Sequence, residues 1–141
     1  MASATEISED LARVPLFADL GRRDLKKLAG RFRERTVSPG TTPVQEAKMS
    51  GIGFFVIAEG KAEVSVGDTV VATLKPGDHF GEIALISGDE RTATVTATTT
   101  MRLLEIPFYD FREFALTNPE VIWKLLQNVV ARTYYDARKT N

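Results

Sequence analysis

The chain has 141 residues, with 18 Lys and Arg against 19 Asp and Glu for a formal net charge of −1. That length matches the roughly 150 residues of one ordinary domain, and the near-neutral balance argues against a generic nucleic-acid or membrane-surface binder, which would show a strong basic excess. The absence of cysteine excludes disulfides, thiolate metal sites and a catalytic thiol, and the single histidine, His79, excludes multi-histidine metal sites.

At 43% hydrophobic and 26% charged, the composition is that of a soluble globular domain. The longest apolar run, Gly53 to Ala58, falls far short of the roughly 20 residues needed to cross a bilayer. The polar, acidic N-terminus carries no secretion signal. No nucleophile–base pairing, metal constellation or dinucleotide fingerprint stands out. The expectation is one small cytoplasmic domain, 1–141, that is not an enzyme and has no cofactor.

In chain order, residues 1–7 read as a loose end. Ser8-Glu9-Asp10 is placed to cap a short helix from Leu11 to Val14, stopped by Pro15. A second helix follows Leu20-Gly21, where Leu25, Leu28, Ala29 and Phe32, starting beside Asp24, keep an apolar stripe. The stretch 22–35 holds Arg22, Arg23, Lys26, Lys27, Arg31, Arg33 and Arg35 against Asp24 and Glu34, which is 7 − 2 = +5. It reads as a basic helix whose charges are either a solvated face or a partner-docking surface.

From Gly40 the pattern is β. Residues 54–58 form a buried strand and Glu59-Gly60 a turn. Ala62, Val64 and Val66 alternate with polar residues, and Gly67-Asp68 is a hairpin turn into Thr69–Leu74. Pro76-Gly77-Asp78 is another turn, with His79 beside it as a turn residue with a partly exposed ring. Ala93, Val95 and Ala97 alternate with threonines, and Arg102 to Ile106 makes a last strand before Pro107. Short strands with regular turn punctuation suggest a β-barrel or jelly roll. The segment Gly81 to Ser87 interrupts them with one or two helical turns. Phe108, Phe111, Phe114 and Ala115 mark a short helix, and Asn118 caps a longer one opened by Pro119. Its apolar face, Val121, Ile122, Leu125, Leu126, Val129 and Val130, widened by Trp123, Ala131, Tyr134 and Tyr135, hints at self-association.

The chemistry concentrates in Phe80-Gly81-Glu82-Ile83-Ala84-Leu85 and Arg91-Thr92-Ala93-Thr94-Val95. Gly81 permits close backbone approach at the start of a short helix, whose free N–H groups from Glu82 to Ala84 suit an anion. Glu82 is an acceptor suited to a sugar hydroxyl. The Arg91 guanidinium forks onto phosphate oxygens, with the Thr92 hydroxyl beside it. An anion clamp with one carboxylate suits a ligand bearing a phosphate and a ribose. The plainer alternatives are a structural Glu82–Arg91 ion pair, a strand-entry role for Thr92, and helix packing for Tyr134 and Tyr135.

This segment closely resembles the phosphate-binding cassette of the cyclic nucleotide-binding domain family. The resemblance extends to Val14-Pro15-Leu16-Phe17, Gly40, Gly60, Pro76-Gly77-Asp78 and Asn118-Pro119-Glu120, and so covers about 14–132. It implies a mainly β fold with flanking α-helices: a jelly-roll barrel with N-terminal helices, a short internal phosphate-binding helix and two C-terminal helices. Residues 14–107 would hold the N-terminal helices and barrel, and 108–138 the C-terminal lid or hinge. The resemblance implies that Arg91 pairs with the exocyclic phosphate oxygens, that Glu82 takes the ribose 2′-hydroxyl, and that the backbone from Gly81 through Ile83 to Ala84 completes the cradle. Val71 and Leu74 would pack on the purine, and Tyr134, Tyr135 and Asp136 are the candidate base contacts. The ligand implied is cyclic AMP, with cyclic GMP as the alternative because Thr92 does not decide between them. An unknown effector protein is the expected partner, with a homodimer through the C-terminal helix as a further option; the near-neutral charge gives the expectation of no direct DNA binding, and the short apolar runs that of no membrane. The rival reading is a ligand-independent interaction barrel, or a regulatory fragment of a larger signalling protein.

Overall fold

The computed structural model describes residues 3–43, 53–81 and 93–139, with side chains described up to residue 131. The first helix, α1, spans Ala4–Ala12, so the expected loose end and the short helix at 11–14 are corrected. Ser3 is its cap: the Ser3 hydroxyl accepts from the Glu6 N–H at 3.2 Å while the Ser3 N–H donates to the Glu6 carboxylate. That reciprocal pair satisfies two backbone donors at once, so the helix begins five residues earlier than Ser8 would have started it. Ile7 and Leu11, one turn apart, are buried. A 3₁₀ helix follows at Pro15–Phe17, and α2 spans Arg22–Ala29 with Leu25, Leu28 and Ala29 buried.

The basic helix read across 22–35 is also corrected. It ends at Ala29, and Arg33–Val37 is strand β1. Only Val37 in this strand is buried. β1 is an edge strand, and its charged residues discourage further pairing along that edge. The remaining strands are β2 Gly53–Glu59, β3 Ala62–Val66, β4 Thr69–Leu74, β5 His79–Phe80, β6 Thr94–Ala97 and β7 Met101–Pro107. They form a four-stranded sheet in the order β1-β7-β2-β5 and a three-stranded sheet in the order β4-β3-β6, with every recorded pairing antiparallel. Gly40 and Thr41 exchange backbone hydrogen bonds with Ala97 at 2.7 and 2.9 Å, along β6.

Period-2 alternation sorts β2 and β7 between two cores. Phe55, Ile57, Met101 and Leu103 pack with Val37, Phe80, Ala62, Val95 and Ala97 between the two sheets. Phe54, Val56, Leu104 and Ile106 face the other way and pack with Ile7, Leu11, Leu25, Leu28, Phe114 and Val121 from the helices. Burying one such large side chain contributes about 1.5–3 kcal/mol. The architecture is thus a mainly β jelly-roll type with flanking helices. Val66 is exposed at the end of the β3–β4 hairpin, where it pairs with Thr69 across the turn.

The C-terminal helices are α3, Phe108–Thr117, and α4, Pro119–Lys139. Asn118 separates them with φ −133° and ψ 60°. Its side-chain amide donates back to the Phe114 carbonyl at 3.1 Å. Its side chain thus closes the end of α3, while its carbonyl accepts from the Val121 and Ile122 N–H groups at 3.1 and 3.3 Å at the head of α4, the cap position that the sequence suggested. Among the described residues of the wide apolar face of α4, Val121 and Leu125 are buried and Ile122 is half-buried.

Candidate ligand site

Strand β5 is two residues long and pairs with β2 through Phe55↔Phe80 and Val56↔His79. Its side chains part to opposite faces. Phe80 lies between the sheets and stacks on Phe55, with ring centroids 4.9 Å apart and planes 9° apart. The His79 ring lies 5.3 Å from Phe54, on the helix side. His79 is a strand residue in place of the turn residue expected from Pro76-Gly77-Asp78, because that turn closes one residue earlier. The Lys75 N–H donates to the Asp78 carboxylate at 2.9 Å and the Gly77 N–H to the Ile57 carbonyl at 2.9 Å. The same turn is tied back to β2 by the Ile57 N–H, which donates to the Asp78 carbonyl.

The chain leaves β5 at Gly81 with φ +92°. That left-handed backbone favours glycine, because a Cβ there crowds the neighbouring carbonyl. Phe80 as a buried anchor and Gly81 as the turn it requires give the first two cassette residues a local physical reason. Glu82, Ile83, Ala84, Arg91 and Thr92 lie outside the described residues. The chain is next described on the opposite sheet, where Val95 and Ala97 of β6 join the inter-sheet core.

Leu74 packs against that same core. Val71 is 58% exposed. Val64 faces Ala72 and Ser65 faces Val70, so Val71 is the extra residue of a bulge. Tyr134, Tyr135 and Asp136 belong to the backbone of α4, and their side chains lie outside the described ones.

Two tethers were not visible in the sequence. The Asn128 side-chain amide on α4 donates to the Pro15 and Leu16 carbonyls at 2.9 and 2.7 Å. An amide inside a helix, where it is a poor helix former, is the only local signal of such a role. Arg102 on β7 meets Asp10 at 2.9 Å, Glu34 at 2.8 Å and Glu59 at 3.5 Å. Burial works against the Arg102 charge, yet the hydrogen bonds to Asp10 and Glu34 and the charges of Asp10 and Glu59 outweigh it and raise its pKa. Among the described residues no group of three or more His, Cys, Asp or Glu is placed to hold a metal ion, and no helix is long and apolar enough to cross a membrane.

The family model of the cyclic nucleotide-binding domain matches residues 34–118, well over half of the chain. The chain belongs to the cyclic nucleotide-binding domain family. Over 95 residues, 66% of its length, it is 43% identical to a cAMP-dependent protein kinase regulatory subunit of Yarrowia lipolytica, covering 25% of that protein. It spans between about a sixth and a third of the length of the curated relatives it matches. The N-terminal domain of a transcriptional regulator from Streptomyces coelicolor superposes with a TM-score of 0.80 at 32% identity, with 94% of each chain covered. The regulatory domain of Toxoplasma gondii PKA with cAMP superposes with a TM-score of 0.69 at 26% identity, covering 78% of this chain and 43% of the other. These relatives of the family member are regulatory domains and subunits.

Proposed function

We propose that this domain is a sensor that binds a 3′,5′-cyclic nucleotide, cAMP first, and signals to a partner protein by repositioning its C-terminal helices. The observation that carries the reading is the Phe80-Gly81 step: a ring anchored between the sheets, then a backbone that favours glycine, where the cassette motif begins. The 43% identity to a regulatory subunit named for cAMP supports the choice of ligand.

In this reading Arg91 forks onto the exocyclic phosphate oxygens and Glu82 accepts from the ribose 2′-hydroxyl. The backbone from Gly81 through Ile83 to Ala84 completes the cradle, with Thr92 beside it. Leu74 and the exposed Val71 offer apolar surface to the purine, and Tyr134, Tyr135 and Asp136 approach it from α4. Ligand binding shifts the population of α3 and α4 arrangements about the non-helical joint at Asn118. The domain works in the cytoplasm and has no catalytic role. Trp123, Leu126 and Val130, exposed on α4, are the candidate seam of a homodimer.

Thermal unfolding with added nucleotide tests the reading. A ligand at about 100 times its Kd stabilises the folded state by about 2.7 kcal/mol. cAMP is expected to raise the midpoint, and the linear 5′-AMP to leave it in place. Equal shifts with both, or none with any cyclic nucleotide at millimolar concentration, would overturn it.

A further inference from the structure

The outward face of α2 is a compact cluster of uncompensated positive charge. Arg22, Arg23, Lys26 and Lys27 follow the spacing i, i+1, i+4, i+5, and all four are exposed. None has an ion-pair partner among the described residues, although Arg13, Arg31, Arg33, Lys75, Arg102 and Lys124 all do. The only acid of the helix, Asp24, turns to Lys124 at 3.5 Å. Two of the cations, Arg22 and Arg23, occupy the first turn, and Gly21 offers no side-chain cap. Cations there oppose the helix dipole, which favours acids at that end. Lys26 and Lys27, in the last turn, suit the dipole, but Arg22 and Arg23 bring the fold no visible gain, and such a departure from local preference is the kind found at functional positions.

We infer that this face is a docking surface for an acidic segment of another polypeptide. Charge complementarity selects an anionic partner. The apolar residues of α2, Leu25, Leu28 and Ala29, are all spent in the core, which leaves nothing to insert into a bilayer in the manner of an interfacial helix. The four cations extend over about 7.5 Å of helix axis, at 1.5 Å per residue. That footprint suits a few carboxylates one helical turn apart and is short for the run of phosphates along a duplex. The surface lies on the helix side of the four-stranded sheet, opposite the inter-sheet core that Phe80 enters. The inference therefore stands or falls separately from the nucleotide reading.

The test is fluorescence anisotropy of a labelled deca-glutamate peptide titrated with the full chain, at 50 and 300 mM NaCl. Saturable binding is expected, at least tenfold weaker at the higher salt. The variant Arg22→Glu/Arg23→Glu/Lys26→Glu/Lys27→Glu is expected to lose at least tenfold in affinity. Lys61→Glu/Arg112→Glu, which reverses two unpaired cations elsewhere, should bind as the parent does. Because α2 gains acids in its first turn, where the dipole favours them, and in its last, where it does not, the two effects offset and the fourfold variant should unfold near the parental temperature; the fourfold alanine variant provides a second folded control. The inference is overturned by absent saturable binding or by equal binding of the fourfold variant. Binding of a 20-base-pair DNA duplex or of vesicles with 30% phosphatidylserine as tightly as the peptide would overturn the polypeptide partner. So would salt-sensitive self-association that the fourfold variant abolishes, since the occupant would then be a second copy.

Discussion

Arg102 and Asp10 are separated by 92 positions in the chain and by 2.9 Å in space. The pair ties α1 to β7, and the same guanidinium reaches Glu34 on β1 at 2.8 Å. At 22% exposure Arg102 is screened only in part. Its removal takes the nearest cation from both Asp10 and Glu34 and leaves Asp10 the exposed Arg13 at 3.7 Å. Arg102→Ala is expected to destabilise the domain by about 2–3 kcal/mol, below the roughly 3–5 kcal/mol for orphaning a fully buried charge because the site is partly exposed. Urea unfolding measures it, and a loss under 0.5 kcal/mol would reduce the network to an ordinary surface contact.

Gly60 and Gly67 both have positive φ, 92° and 60°, but their surroundings differ. A Cβ on Gly60 would overlap the Thr100 carbonyl oxygen and stand 2.8 Å from the Met101 Cα, both of them backbone, while one on Gly67 meets nothing within 4 Å. Gly67→Ala is expected to cost about 1–2 kcal/mol, the left-handed penalty alone. Gly60→Ala adds a clash with β7 and is expected to exceed 3 kcal/mol. Paired denaturation curves check the ranking, and equal losses would contradict the close approach.

Asn128 fastens α4 to the 3₁₀ helix through two hydrogen bonds. Asn128→Ala removes both and is expected to cost about 1–2 kcal/mol. Amide hydrogen exchange should accelerate along α4 while β2 and β7 keep their protection. Unchanged exchange in α4 would mean that the helix is held by its other contacts, Val121, Ile122 and Leu125 in the core and Lys124 on Asp24.

Much of the fold was legible because its signals are local. Alternation in Val95 and Ala97, the glycine at the Gly67-Asp68 hairpin and the Asn118-Pro119 break each act within a few residues. The Ser3-x-x-Glu6 capping box is equally local, and the Ser8-Glu9-Asp10 run competes with it as a helix start. β1 was hidden because an edge strand of Arg33-Glu34-Arg35-Thr36-Val37 buries only its last residue and leaves no apolar alternation to read. The tethers of Arg102 and Asn128 join residues 92 and 112 or more positions apart, which no window on the sequence can reach. The cassette was read from its motif. The structure supplies physical reasons for Phe80 and Gly81, while Glu82, Ile83, Ala84, Arg91 and Thr92 lie outside the described residues.

Gly81 offers a probe of the cassette from its described end. At φ +92° an alanine is strained by about 1–2 kcal/mol. Gly81→Ala is expected to weaken cyclic nucleotide binding about tenfold and to lower the unfolding midpoint by a few degrees. Parental affinity in this variant would place the ligand away from the exit of β5.

The most direct test of nucleotide sensing is a calorimetric titration of the parent and of Arg91→Ala with cAMP and with cGMP. The parent is expected to bind cAMP saturably. Arg91→Ala is expected to lose about 1.5–3 kcal/mol, roughly 10- to 150-fold in Kd, as a charge-assisted pair to phosphate is removed. No binding heat with either nucleotide at millimolar concentration, or an Arg91→Ala variant that binds as tightly as the parent, would contradict it.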